Sequence, residues 1–168
     1  MLRRGIVIAL LAAVAALGGR LALDGGSAAS DPSSGEVVRV VDGDTIRVRL
    51  GGTEERVRYI GVDTPETVKP GTPVQCFGKA ASAYNKRLLR GRSVRLVFDA
   101  ERRDRYGRLL AYVYRQPDGL FVNADLVRRG YAQPLTIPPN VGHAAEFRAL
   151  ARGARRAGRG LWAACGAS

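Results

Sequence analysis

Hydrophobic and polar residues alternate along the first part of the chain in the manner of β-strands. Residues 37–41 form a β-branched run, an Asp-Gly-Asp turn follows at 42–44, and apolar side chains recur at every second position over 46–50. The same alternation continues over residues 55–62, where valine and tyrosine are interleaved with arginine. Period-two alternation is typical of half-buried strands, and an Asp-Gly turn between two such runs is typical of a hairpin. The pattern therefore predicts three consecutive strands, the first two joined as a hairpin.

The hydrophobic period then lengthens to that of a helix. Residues 77–89 carry apolar side chains at helical spacing. Alternation returns over 94–98 and 109–114, and residues 122–129 and 143–157 have helical spacing again. Strands and helices do not alternate one for one, which argues against a doubly wound parallel sheet. We therefore predict an α+β domain with a mainly β core, a five-stranded OB-fold barrel that carries about three helices.

Residues 1–35 differ in composition from the rest of the chain. Two arginines precede an apolar run over residues 5–17, and small and polar residues follow up to residue 35. This order is typical of an export signal, and the run is short for a membrane-spanning helix, which needs about 20 apolar residues. A longer apolar segment over residues 5–23 leaves an uncleaved anchor as the alternative. We predict a signal peptide or anchor with a flexible linker in residues 1–35, a folded domain in residues 36–168, and a secreted or membrane-anchored extracellular protein.

The charge of the chain is strongly positive. The formal net charge is +12 at pH 7, and the three arginines and two aspartates of residues 1–35 account for only one unit of it. The basic character therefore belongs to the predicted folded domain. An excess of this size attracts polyanions, and it also suits anionic membrane surfaces, so charge alone leaves both partners open.

Two cysteines, Cys76 and Cys165, lie in the predicted folded domain. An even number of cysteines in an exported chain favours a disulfide between them, and two free thiols are the alternative. The chain has a single histidine, so it offers no soft metal site.

Two clusters of oxygen-bearing side chains are candidates for chemistry. One is the turn at residues 42–45, Asp-Gly-Asp-Thr, and the other follows the third predicted strand at residues 63–67, Asp-Thr-Pro-Glu-Thr. If those strands pair, both clusters lie near one rim and supply hard oxygen ligands, which suit Ca²⁺ or Mg²⁺. Few protein ligands would leave room for water and a substrate phosphate. The structural alternative is that both clusters are ordinary turn and helix-start signals.

Two arginines near these clusters are candidates for binding phosphate. Arg58 lies on the third predicted strand, and Arg108 lies just before the fifth. A planar guanidinium group binds phosphate oxygens through paired hydrogen bonds and stays charged throughout. Because the chain is rich in arginine, composition by itself does not distinguish these two from solvated surface residues.

Several longer motifs resemble the staphylococcal nuclease-like (thermonuclease) family. The resemblance runs in register from about residue 37 to residue 162, and its motifs occur in the order of the family. The three longest are VDGDT at 41–45, VRYIGVDTPET at 57–67 and DRYGRLLAY at 104–112. Shorter matches are FGKAASA at 77–83, VNADLVRRGYA at 122–132 and GLW at 160–162.

The resemblance implies an OB-fold enzyme that binds one Ca²⁺ and cleaves DNA and RNA endonucleolytically, leaving 3′-phosphate ends. By motif position, Asp44 and Asp63 resemble the carboxylate ligands of calcium, and Thr64 resembles the ligand that binds through its backbone carbonyl. Asp42 resembles the acidic neighbour that supports the site from outside the ligand set. We expect a monomer without an obligate protein partner.

The resemblance also assigns residues to the substrate. Glu66 resembles the residue that activates water, and Arg58 and Arg108 resemble the two phosphate-binding arginines. Arg105 and Tyr106 resemble residues that line the nucleotide end of the groove.

One segment departs from the family pattern. The family has tyrosines that contact the nucleotide in the loop that corresponds to residues 134–140, and this chain has none there. Stacking of a base on an aromatic ring contributes roughly 1–3 kcal/mol, so the departure concerns nucleotide affinity and base preference rather than catalysis. The alternative function is a non-catalytic nucleic-acid-binding module of OB type, which we expect to lack the acidic ligands or the phosphate arginines.

Overall fold

Five strands close into a barrel in the computed structural model, which describes residues 33–67, 71 and 73–166. The strands are β1 (Ser34–Val40), β2 (Thr45–Leu50), β3 (Thr53–Tyr59), β4 (Val62–Asp63), β5 (Ser93–Val97), β6 (Leu109–Arg115) and β7 (Gln133–Pro134). The helices are α1 (Gly78–Leu89), α2 (Val122–Arg128), α3 (Ala144–Arg156) and α4 (Leu161–Ala164).

The barrel has the strand order β1-β2-β3-β6-β5, and β1 pairs with β5 to close it. Neighbouring strands are antiparallel except for β3 and β6, which run parallel. A parallel pair requires a crossover connection, and the chain from β3 to β6 supplies it with α1 and β5. The two-residue strands β4 and β7 form a separate antiparallel pair.

The core consists of the inward-facing side chains of the barrel together with the inner faces of the helices. Ile46, Val48 and Val57 are fully buried on adjacent strands, as the period of two requires. The helices contribute apolar side chains such as Leu126 of α2 and Phe147 of α3, which are buried against the same cluster. A continuous core of this kind gives the barrel a rigid rim on which polar groups can be placed.

The structure confirms the predicted fold class and most element positions. The OB-type barrel of five strands is present, and the predicted helices over 122–129 and 143–157 are α2 and α3. The third predicted strand was wrong at its end: β3 stops at Tyr59, and Val62–Asp63 pair with β7 instead. The alternation of apolar and polar residues over 55–62 does not show which strand each segment pairs with, and this explains the error. The short helix α4 is a fourth helix beyond the predicted three.

The disulfide between Cys76 and Cys165 is present. It joins the residue two positions before α1 to the end of α4, across a sequence separation of 89 residues.

The predicted signal peptide or anchor in residues 1–35 lies almost wholly outside the described residues. Within the described part of the chain, no helix is both long enough and apolar enough to cross a bilayer.

Candidate active site

The register of the barrel brings the three long motifs together. Thr45 on β2 faces Arg58 on β3, so Arg58 lies beside the 42–44 turn that precedes β2. Arg58 in turn faces Leu110 on β6, so Arg108, just before that strand, lies on the other side of Arg58. The parallel pairing of β3 with β6 therefore places two segments fifty residues apart in sequence at one rim of the barrel.

A pocket of about 520 Å³ opens at this rim. Every predicted metal, catalytic and supporting residue lines it, and of the two predicted nucleotide contacts, Tyr106 lines it while Arg105 lines the adjoining pocket. The structure thus brings the predicted site residues together, while their individual roles stay predictions. The lining is Asp42, Asp44, Thr45, Arg56, Arg58, Asp63, Thr64, Pro65, Glu66, Tyr106 and Arg108.

Asp44 is the most buried carboxylate of the pocket, with 5% of its surface exposed. Its Oδ2 accepts hydrogen bonds from the backbone N–H of Thr64 at 2.7 Å and from the Thr64 hydroxyl at 2.9 Å. The turn can approach Thr64 this closely because residue 43 is glycine: a Cβ there would lie 2.5 Å from Thr64 Oγ1. The Asp-Gly-Asp turn and the Asp-Thr-Pro-Glu segment are therefore joined directly through Asp44 and Thr64.

Arg58 lies between the two predicted calcium carboxylates. Its Nε is 3.2 Å from Asp44 Oδ1, and its Nη2 is 2.9 Å from Asp63 Oδ1. Nη1 donates to the backbone carbonyls of Tyr59 and Val62 at 2.8 and 2.7 Å. These contacts hold the guanidinium group, whose side chain is only 14% exposed, in one orientation at the pocket wall.

Two carboxyl groups of the pocket, those of Asp42 and Asp63, have raised pKa values. Burial, followed by repulsion from Asp44, raises the pKa of Asp42 from 3.8 to about 6. Burial also raises the pKa of Asp63, against the opposing effect of Arg58. Desolvated carboxylates that repel one another gain from a nearby cation, because a positive charge favours their ionised forms. A cation bound beside Asp42 and Asp63 would therefore lower the pKa of both carboxyl groups.

The donor atoms fit a hard divalent ion. Four carboxylate side chains line the pocket, and carboxylate oxygens are among the ligands that Ca²⁺ prefers. In the part of the chain that the structure describes, no three histidine, cysteine or acidic side chains converge closely enough to bind a metal by themselves. Asp44, Asp63 and the carbonyl of Thr64 would therefore hold the ion together with water or substrate oxygens.

Arg108 is oriented by a residue that the sequence analysis did not identify. Nη2 and Nε of Arg108 each lie 2.6 Å from Asp104 Oδ2. Asp104 also accepts hydrogen bonds from the backbone N–H groups of Tyr106 and Arg108, and these bonds together with the Arg108 side chain outweigh burial and lower the pKa of Asp104. Asp104 begins the DRYGR motif, and its position in a turn just before the predicted phosphate-binding arginine was the signal that could have identified it.

Asn85 of α1 is a second residue that was missed. It is fully buried, and its Nδ2 donates to the backbone carbonyl of Asp42 at 2.9 Å. Its Oδ1 accepts a hydrogen bond from the hydroxyl of Tyr59 at 3.0 Å. Asn85 therefore links α1 to the acidic turn and to β3, and nothing in the local pattern of the helix indicates such a long-range contact.

Glu66 lines the pocket two residues after Thr64 and is half-buried. Its Oε1 accepts a hydrogen bond from the N–H of Thr67 at 2.8 Å. The contact restrains one carboxylate oxygen, so the side chain has a defined orientation next to the pocket.

A second pocket of about 460 Å³ adjoins the first and shares Arg58, Tyr106 and Arg108 with it. Leu135 and Ile137 line this second pocket from the loop that lacks tyrosines, so its wall is aliphatic there. The Tyr106 ring is 68% exposed and stands at the boundary, with the guanidinium carbons of Arg105 and Arg108 at 4.8 and 5.5 Å from its centre. Tyr59 also lines this pocket but is buried, so among the described residues that line the groove Tyr106 is the exposed aromatic side chain.

Known proteins are similar to this chain in sequence. A family model described as "Staphylococcal nuclease homologue" matches residues 56–164. A thermonuclease of Staphylococcus intermedius is 55% identical over 104 residues, which are 62% of this chain and 61% of that protein. A thermonuclease of Staphylococcus hyicus is 42% identical over 127 residues, 76% of this chain and 74% of that protein. The endonuclease YncB of Bacillus subtilis (strain 168) is 42% identical over 130 residues, 76% of this chain and 61% of that protein.

The matched segments span between 61% and 74% of the length of these three relatives. The match to the family model covers more than half of the chain and includes Arg58, Asp63, Glu66 and Arg108. This chain belongs to the family of staphylococcal nuclease homologues.

Proposed function

We propose that this protein is an exported, calcium-dependent endonuclease that hydrolyses the phosphodiester bonds of DNA and RNA and leaves 3′-phosphate ends. The observation that carries the proposal is the meeting of Asp44, Asp63, Glu66, Arg58 and Arg108 in one pocket. Relatives named as thermonucleases and an endonuclease support the reaction class.

The arginines of the pocket counter the negative charge that makes a phosphodiester slow to react. A phosphodiester is negatively charged and repels nucleophiles, and negative charge increases on its non-bridging oxygens in the transition state. Arg58 and Arg108 place two permanent positive charges at the pocket wall, each oriented beforehand by carboxylates. Groups fixed before the reaction stabilise the developing charge without reorganisation. A bound Ca²⁺ would supply further positive charge to the same phosphate.

Glu66 supplies the base. A water molecule at the pocket mouth loses a proton to the Glu66 carboxylate as its oxygen forms the bond to phosphorus. The bond from phosphorus to the 5′-oxygen breaks, and that oxygen leaves and takes up a proton, so that water is added across the bond. The phosphate stays on the 3′-oxygen. No covalent intermediate with the enzyme is required.

Substrate binding uses both pockets. The reacting phosphate lies with Arg58 and Arg108, and the adjoining nucleotide reaches Arg105, Tyr106 and the aliphatic wall of the second pocket. The net charge of +12 assists the encounter with long polyanions. Because Leu135 and Ile137 offer no ring for stacking, we expect weak discrimination between bases.

Export and a monomeric state complete the proposal. The basic, apolar and small-residue order of the first 35 residues supports export, and the disulfide of the folded part suits an oxidising compartment.

One experiment tests the function as a whole. The purified full-length protein is incubated with end-labelled single-stranded DNA and RNA in Ca²⁺, in Mg²⁺ and in excess chelator, and product ends are identified by mass spectrometry. We expect cleavage in Ca²⁺, loss of cleavage in chelator, recovery on Ca²⁺ readdition, and 3′-phosphate ends. Complete cleavage in chelator would refute the calcium requirement. Tight binding without any cleavage would favour the non-catalytic binding module instead.

A further inference from the structure

Glu66 is held at its backbone by one residue across the loop that follows it. The backbone N–H of Gln75 donates to the carbonyl oxygen of Glu66 at 3.0 Å. The side-chain Oε1 of Gln75 accepts from the backbone N–H of Glu66 at 2.8 Å. Gln75 thus binds both polar backbone groups of Glu66, although the two residues are nine positions apart.

Gln75 is itself fixed by the two residues that follow it. Cys76 is bonded to Cys165 at the end of α4. Phe77 has a left-handed backbone, with φ of 65°, and its ring stacks on Tyr131 with 5.4 Å between ring centres. A non-glycine residue in this conformation is uncommon and persists where its surroundings hold it. The chain that carries Gln75 is therefore anchored covalently and by packing.

The start of α1 packs directly on the same backbone. The N–H of Gly78 donates to the carbonyl of Gln75 at 3.0 Å. A Cβ on Gly78 would lie 2.9 Å from the carbonyl oxygen of Glu66 and 3.0 Å from that of Pro65. The segment around Glu66 is thus enclosed between the acidic pocket, through Thr64 and Asp44, and the anchored turn at the start of α1.

We propose that Gln75 is a positioning residue for Glu66 and that the Cys76–Cys165 disulfide keeps Gln75 in place, an inference that rests on the catalytic role proposed above for Glu66. The proposed reaction requires a fixed position of the Glu66 carboxylate. A carboxylate that deprotonates water has to stay within hydrogen-bond reach of it, and small displacements of a reacting group cost much of the rate. Glu66 lies on a loop rather than on a barrel strand, and the contacts with Gln75 hold its backbone there.

The side chain of Gln75 offers a sharp substitution series. Leucine is one atom shorter than glutamine and removes the acceptor oxygen, whereas glutamate has the same length as glutamine and keeps an acceptor oxygen. Val74 provides a matched control, because it is the preceding residue and its side chain is 48% exposed. The variants are therefore Gln75→Leu, Gln75→Glu and Val74→Ala in the full-length protein.

We expect Gln75→Leu to lower kcat about tenfold while KM for single-stranded DNA stays within about twofold of the wild-type value. Gln75→Glu is expected to retain most of kcat, and Val74→Ala all of it. All rates are measured in saturating Ca²⁺, well below the melting temperature of each variant. An unchanged kcat in Gln75→Leu, or a loss confined to KM, would overturn the proposal.

Hydrogen exchange of the Glu66 amide separates this inference from the role of Glu66 in catalysis. The amide is the donor to Gln75, so its exchange measured by NMR is expected to accelerate in Gln75→Leu and to stay slow in Gln75→Glu. If Glu66→Gln proves fully active, the proposed base role fails while the exchange result still reports the contact. Slow exchange in Gln75→Leu would contradict the contact itself.

A double-mutant cycle on kcat tests whether the disulfide acts through Gln75. We expect Cys76→Ser/Cys165→Ser to lower kcat, and the addition of Gln75→Leu to this variant to cost less than it does in the wild type. Residues that act through one another show such non-additivity. The single tryptophan, Trp162 of α4, reports by fluorescence whether each variant remains folded. Fully additive effects, or wild-type kcat without the disulfide, would refute its part in positioning Gln75.

Discussion

The two sides of the pocket are built differently. On the barrel side, Arg58 lies on β3 and Asp44 lies in the turn before β2, both largely buried and bonded to several partners. On the loop side, Glu66 follows β4 without a barrel strand beneath it, and Gln75 and the anchored start of α1 hold its backbone. The charge-neutralising groups are thus part of the barrel itself, whereas the proposed base is attached to it.

Because the two sides are built differently, substitutions on them should affect activity and folding stability to different extents. A buried ion pair that loses one partner leaves an unpaired buried charge, so substitutions on the barrel side should reduce both activity and folding stability. A half-buried carboxylate on a loop can lose its charge without such a penalty. Substitution of the Glu66 carboxylate should therefore reduce activity alone.

The largest effect is expected for Arg58→Ala. It removes a phosphate-binding charge, which should lower kcat by roughly 10³-fold, and it leaves Asp44 without its guanidinium partner, which should lower the free energy of unfolding by roughly 3 kcal/mol. Rates and thermal melts of the same preparation provide both values. Arg49→Ala, an exposed arginine on the neighbouring strand, is the control and should change neither quantity appreciably. Full stability in Arg58→Ala would remove the distinction between the two sides.

The second effect is that of Glu66→Gln. The amide keeps an acceptor for the Thr67 N–H and cannot act as the base, so kcat should fall by roughly 10²-fold with an unchanged melting temperature. Equilibrium binding of single-stranded DNA should persist, measured by fluorescence anisotropy. A large loss of stability would show that the loop side is as integral to the fold as the barrel side.

The smallest effect concerns pH and lies on the barrel side. Because the pKa of Asp42 is raised from 3.8 to about 6 in the folded protein, the folded state binds a proton between these values when the unfolded state does not. The free energy of unfolding should therefore decrease as the pH rises through this window, and this contribution should vanish in Asp42→Asn. Denaturant titrations of both proteins in chelator measure the difference. Parallel pH profiles of the two proteins would contradict the raised pKa.

Local pattern was sufficient for most of the fold. Alternation located the barrel strands because each has one face toward the core, and the period of 3.6 located α2 and α3 for the same reason. The error at the end of β3 arose where the chain leaves one sheet for another, a choice made by β7 about seventy residues later. A pairing partner this far along the chain cannot be recognised from the residues around β4.

The residues of the candidate site also fall into those that the sequence predicted and those that it did not. Residues that carry charge within recognisable motifs, such as Asp44, Glu66 and Arg108, could be named from the sequence. Gln75 and Asn85 could not, since each acts by a neutral hydrogen bond to a backbone group distant in sequence. Their amide side chains are chemically ordinary, and only the position of the partner makes them relevant.

The period of each element, the excess of positive charge, and the carboxylates and guanidinium groups available for chemistry all follow from the order of residues along the chain. Which of these groups meet depends on folding. Parallel pairing of β3 with β6 brings Arg108 to Arg58, a glycine at residue 43 lets Thr64 reach Asp44, and a disulfide across 89 residues anchors the segment that holds Glu66. Each of these contacts closes a long loop, and the free energy for that closure comes from burial of the whole core rather than from any local segment.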